Sequence, residues 1–229
     1  MTRTRRIVAE GLGSAMLLAV VIGSGIMGEN LAGGNVAIAL LANAIATGCG
    51  LVALILMFSA ISGAHFNPVV TLSEAWQKNL PARDVLPYIA AQIIGAFAGV
   101  AAAHLMFGEP VFFASTHTRA GGAQWWSEFV ATFGLLATII GCSRSRPSAT
   151  PFAVAAYITA AYWFTSSTSF ANPAVTLARA ASNTFAGIRP EDVGGFIAAQ
   201  LLGAAAATSL FCWLYPIVPG DFARDESAT

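Results

Sequence analysis

Two dipeptides carry the clearest chemistry in this chain, Asn67-Pro68 and Asn172-Pro173. Asparagine caps a helix N-terminus through its side-chain oxygen, and proline suits the first helical position because no amide hydrogen is needed there. Each box is therefore predicted to start a helix. The end it starts carries about half a positive charge and several free N–H groups. Two such ends facing one another would repel cations, including a migrating proton. The amide nitrogens of Asn67 and Asn172 would remain free to donate to an oxygen passing between them. That is recognition chemistry for uncharged, oxygen-bearing molecules, with no bond made or broken. Nothing else points to catalysis: no metal-ligand spacing appears, and no Ser/His/Asp or Cys/His constellation. Cys49, Cys142 and Cys212 sit singly in apolar stretches, as small hydrophobes do.

The elements that must position these boxes follow from composition. The chain is 56% hydrophobic and only 10% charged, against about 25% charged in a typical soluble domain. A chain this apolar is predicted to lie in a bilayer. Its net charge is zero and its basic residues form no long run, which excludes nucleic acid as a partner. Six stretches, roughly 7–28, 36–58, 85–107, 125–143, 151–168 and 193–215, are long and apolar enough to cross about 30 Å as helices. The first follows Arg3, Arg5 and Arg6 as a signal peptide would, but no clear cleavage site comes after it, so it reads as a retained span. Two shorter pieces, about 66–77 and 171–184, each open on an Asn-Pro box and are too short to cross. They read as half-helices that enter and stop midway. Such a stop is tolerated only where it is packed in protein or lines a watery cavity.

Basic residues set the orientation. With the N-terminus inside, Arg3, Arg5, Arg6, Lys78, Arg83, Arg144, Arg146 and Arg224 fall on the cytoplasmic side, against Arg119, Arg179 and Arg189 outside. Both termini are then cytoplasmic. The chain also repeats itself. The run His65-Phe-Asn-Pro-Val-Val-Thr-Leu72 returns as Phe170-Ala-Asn-Pro-Ala-Val-Thr-Leu177, and Tyr88-Ile-Ala-Ala-Gln-Ile-Ile-Gly-Ala96 as Phe196-Ile-Ala-Ala-Gln-Leu-Leu-Gly-Ala204. Glu10 is echoed by Glu128. One channel domain over 1–229 is expected, with repeats at about 1–115 and 120–220. Each repeat holds three spans, an odd number, so the second is inverted, and inverted repeats with broken helices place their site at the midplane.

With Ser62-Gly-Ala-His-Phe-Asn-Pro-Val-Val-Thr71 and Ser169-Phe-Ala-Asn-Pro-Ala-Val175 on the page, the chain resembles the aquaporin and glycerol-facilitator family over nearly its whole length. The resemblance implies an all-α membrane protein: six transmembrane helices plus two re-entrant half-helices in inverted repeat, one pore per subunit, a homotetramer, and no cofactor or metal. It places Asn67, Pro68, Val69, Asn172, Pro173 and Ala174 at the pore centre. Val69 stands where the family usually has alanine. Glu10 and Glu128 are implied to hold the loop backbones, with Gln92 and Gln200 as further braces. His65 is expected to line the inner half of the pore.

The family's outer constriction maps by spacing onto Thr47, Ala160, Ser169 and Val175. Most water-selective members carry arginine at the last of these positions, so four small residues imply a wide filter. Arg179, one turn beyond Val175, is a candidate for supplying part of the missing charge. Cys49, two after Thr47, is a candidate for the pore mouth, and Tyr162, Trp163, Trp125 and Trp126 fit interfacial anchors or helix packing. The run Tyr162–Leu177 is similar to bacterial aquaporins associated with arsenic resistance, in the inner membrane. That likeness implies passage of arsenous acid, methylated arsenicals, glycerol and water. The alternatives are an ordinary water-selective channel, or an ion-coupled transporter, which would need midplane acids beyond Glu10 and Glu128.

Overall fold

A computed structural model describes residues 1–215. It contains α1 (Arg3–Leu31), α2 (Val36–Ser62), α3 (Pro68–Trp76), α4 (Ala82–Phe107), α5 (Gly122–Ser145), α6 (Thr150–Phe164), α7 (Pro173–Arg179) and α8 (Val193–Leu214). Short 3₁₀ turns, Pro147–Ala149 and Pro190–Asp192, lead into α6 and α8. The order long, long, short, long is met twice. This is the six-helix fold with two half-helices in inverted repeat. Arg224 lies outside the described residues.

Local chemistry explains the ends. Asn35 caps α2 by accepting from the amides of Ala37 and Ile38. α2 stops at Gly63, whose φ of +91° is a left-handed conformation open to glycine. Among the described residues, five helices are long and apolar enough to cross a membrane by themselves. The exception is α6, only 15 residues long. The expected span 151–168 is corrected here: the helix ends at Phe164, and Thr165–Ala171 forms a serine- and threonine-rich loop before the second box.

The helices enclose an apolar core and turn apolar side chains outward as well. Large apolar side chains such as Leu86, Ile94, Leu105, Leu202 and Trp213 are exposed on the outside, the surface a lipid solvent requires. The interior joins helices through close backbone approach. A Cβ on Gly95 would stand 2.0 Å from the Gly11 carbonyl oxygen across α1 and α4, and one on Gly203 would stand 2.5 Å from the Phe129 carbonyl oxygen across α5 and α8. These equivalent positions in the two halves accept only glycine at this spacing. At one end, Asp84 on α4 binds Arg3 at 2.8 Å and Arg6 at 3.5 Å, tying α1 to α4.

Candidate functional site

The two half-helices meet through their caps. Asn67 Oδ1 accepts from the Val69 amide at 3.0 Å, and Asn172 Oδ1 accepts from Ala174 at 3.0 Å and Val175 at 3.3 Å. One amide hydrogen of each asparagine crosses to the other loop: Asn67 Nδ2 donates to the Ala171 carbonyl and Asn172 Nδ2 to the Phe66 carbonyl, both at 2.8 Å. Each Nδ2 has a second hydrogen, and both asparagines line the central cavity. Pro68, Val69, Pro173 and Ala174 are buried behind them.

The loops that carry these caps are strained in the same way in both halves. Gly63, Ala64 and Phe66 have φ of 91°, 52° and 50°, and their counterparts Thr168, Ser169 and Ala171 have 60°, 51° and 49°. A non-glycine residue held there costs about 1–3 kcal/mol. Two fully buried carboxylates offset that cost. Glu10 accepts from the amides of His65 (3.0 Å) and Phe66 (2.7 Å) and from the Ser62 hydroxyl (2.6 Å). Glu128 accepts from the amides of Phe170 and Ala171, both at 2.9 Å. Gln92 Nε2 donates to Glu10 and to Thr71 at 2.7 and 2.9 Å, and Gln200 Nε2 to Glu128 and to Thr176 at 2.6 and 2.8 Å. A Glu–Gln pair thus forms one bracing device, used twice. Charge-assisted hydrogen bonds of this kind are what hold a buried charge in an apolar setting.

Between the braced loops runs a cavity of about 270 Å³. Leu51, Ile55, Leu135, Val154 and Ile158 give it an aliphatic wall, and His65, the two asparagines, Thr47 and Ser169 give it polar points. His65 Nδ1 pairs with Thr71 Oγ1 at 3.1 Å. Val175 lines the cavity, and Ser169 Oγ has no partner among the described residues.

Ala160 does not reach the cavity. It is exposed on the outside of α6, whose lining row is Thr150, Val154, Ile158 and Tyr162, one residue per turn. At 100° per residue, Ala160 lies about half a turn from both Ile158 and Tyr162. Counting back from Asn172 assumed a helix end and rotation that the short α6 does not have. Tyr162, expected as an anchor or packing residue, occupies the lining instead, with its hydroxyl 3.2 Å from Thr47 Oγ1. The constriction is therefore not made of four small side chains. The four-residue spacing of the lining row was the available signal for Tyr162. Cys49 is exposed on the outside of α2 and does not line the cavity, whereas Trp125, Trp126 and Trp163 are exposed as interfacial anchors would be.

Three further residues were not singled out from sequence. Glu74 lines the end of the cavity opposite Arg179. Phe170 lies under the Arg179 guanidinium, with Cζ 3.3 Å from the ring centroid. Arg119, from the loop between α4 and α5, donates to the carbonyls of Gly187 (2.8 Å) and Ser167 (3.2 Å).

The sequence profile of the family described as major intrinsic protein matches residues 1–162. The aquaglyceroporin AqpS of Rhizobium meliloti (strain 1021) is 55% identical over 211 residues, spanning 92% of this chain and 90% of that protein. The chain belongs to the major intrinsic protein family. The propanediol uptake facilitator PduF of Citrobacter freundii is 36% identical over 101 residues, 44% of this chain and 36% of that protein. The aquaglyceroporin structure from Plasmodium falciparum superimposes with a TM-score of 0.68 at 20% identity, covering 95% of this chain and 97% of that one, which shows the shared fold. Members of the family at this similarity are channels and not enzymes. The chain is a multi-pass membrane channel for small solutes.

Proposed function

We propose that the channel passes small uncharged hydroxylated solutes, with arsenous acid, methylated arsenicals and glycerol as its permeants alongside water. One observation carries this reading. Along the cavity, hydroxyl and amide groups of Thr47, Tyr162, Ser169, Asn67 and Asn172 accompany aliphatic side chains, and Val175 lines it at the position where the resemblance to water-selective channels implies arginine. A polyol or trihydroxy acid matches both walls at once, its oxygens replacing lost water contacts while its other face stays against Val175 and Ile158. The helix ends at the asparagines oppose cations and protons.

The supporting frame is a single channel domain over 1–229, in two repeats of about 1–115 and 120–220. It sits in a bacterial inner membrane with both termini cytoplasmic and assembles as a homotetramer with one pore per subunit. In that orientation Glu74 marks the cytoplasmic mouth and Arg179 the outer one. Tyr162 favours a second reading, a water-selective pore, because its ring takes room from the constriction. Stopped-flow light scattering on proteoliposomes with water, glycerol and arsenous acid in parallel separates the two. Fast water with neither solute would refute the solute reading and leave the fold untouched.

A further inference from the structure

A second cavity of about 270 Å³ adjoins the first, and Arg179 lies in the walls of both. Arg119, His117, Thr118 and Thr168 line it as well, with no acidic side chain among its lining residues. Arg179 is 2% exposed. Its Nε donates to the Ala186 carbonyl and its guanidinium stacks on Phe170, but its two terminal nitrogens have no acceptor among the described residues. Arg119 lies 5.0 Å over the same ring, with Nε on the Gly187 carbonyl and Nη1 between the Ser167 carbonyl and Thr168 Oγ1. Its Nη2 has no acceptor among the described residues. Neither arginine forms an ion pair with a carboxylate among the described residues.

Arg179 is buried and Arg119 is half-buried, and a buried charge is ordinarily matched by an opposite one. The aromatic face, the carbonyls and the Glu128 carboxylate nearby, which pairs directly with neither arginine, offset part of the cost, and an anion entering the cavity would offset more. A guanidinium presents a planar fork of N–H groups that fits two oxygens of one ligand. We infer that this second cavity is a binding site for small oxyanions, held between Arg179 and Arg119, and that an anion seated there slows the passage of neutral solutes. The inference rests on the central cavity being the solute path. The same two charges turn cations away at this mouth, one helical turn beyond Val175.

The test uses the full chain in liposomes of zwitterionic lipid, so that solution phosphate is the only phosphate anion offered besides neutral headgroups. Inorganic phosphate at pH 7 is compared with chloride at equal ionic strength and osmolarity. Phosphate is expected to lower glycerol permeability at least threefold in a saturable way. It is also expected to raise the thermal midpoint of the detergent-solubilised chain, which chloride does not. Both effects should vanish in Arg179→Gln and persist in Arg146→Gln, an exposed residue outside both cavities. No phosphate effect on either readout in the unaltered chain would overturn the site, as would equal effects in Arg179→Gln. A midpoint shift lost in Arg179→Gln, with glycerol flux unchanged, would overturn the slowing. Absence of glycerol flux in every buffer would instead overturn the solute reading, while the thermal readout still tests the anion.

Discussion

Asn67 and Asn172 are each tied to the loop that precedes the other: each side-chain nitrogen donates at 2.8 Å to the carbonyl just before the opposite asparagine. The side chain that caps one half-helix thus also fixes its distance from the second. Each Nδ2 spends one hydrogen on this link and keeps one for the lumen. The cavity wall is consequently rigid where the two asparagines line it.

Asn172→Ala removes that link together with the cap on Ala174 and Val175. The Phe66 carbonyl and the two amides lose their partner, at about 1–3 kcal/mol for each buried group left unpaired. The thermal midpoint in detergent should fall, and solute flux per folded protein should fall with it. An unchanged midpoint would show the link to be idle.

Glu128→Gln changes the volume little but puts a donor where a carboxylate oxygen accepted from Ala171 and Gln200. Donor then faces donor, at a cost of about 1–3 kcal/mol for each unpaired group. The strained loop 168–171 should lose its support, and less folded channel should be recovered on size-exclusion chromatography. Glu10→Gln should behave alike, since the two carboxylates play equivalent parts.

Tyr162→Phe keeps the ring and deletes the hydroxyl beside Thr47. Losing one hydrogen bond of about 1 kcal/mol should shift the ratio of glycerol to water permeability about fivefold. Ala160→Val should leave that ratio unchanged, because residue 160 faces outward. Equal effects from both substitutions would place the wrong face of α6 in the pore.

Val175→Arg inserts a long cation into the cavity that Ser169 and Thr47 also line. Glycerol and arsenous acid permeability should drop at least about tenfold, equivalent to about 1.4 kcal/mol of barrier. Water permeability should be reduced far less. Stopped-flow measurements on matched proteoliposomes check the split.

Much of this architecture was legible in the residues themselves. Hydropathy marks the spans, Asn-Pro marks the half-helix starts, and the echo of Glu10 and Gln92 in Glu128 and Gln200 marks the paired braces. These signals are local, or are repeated at fixed spacing, so one chain suffices to read them. Tertiary structure decided what spacing cannot carry. The rotation of α6 about its axis is set by packing against α2 and α5, and it turned Tyr162 inward and Ala160 outward. Arg119 meets Phe170 and Arg179 only because the loop between α4 and α5 folds back over the second half-helix. A helix written as sequence has no preferred face when it is apolar all round. Its neighbours choose the face, and with it the residues that line the pore.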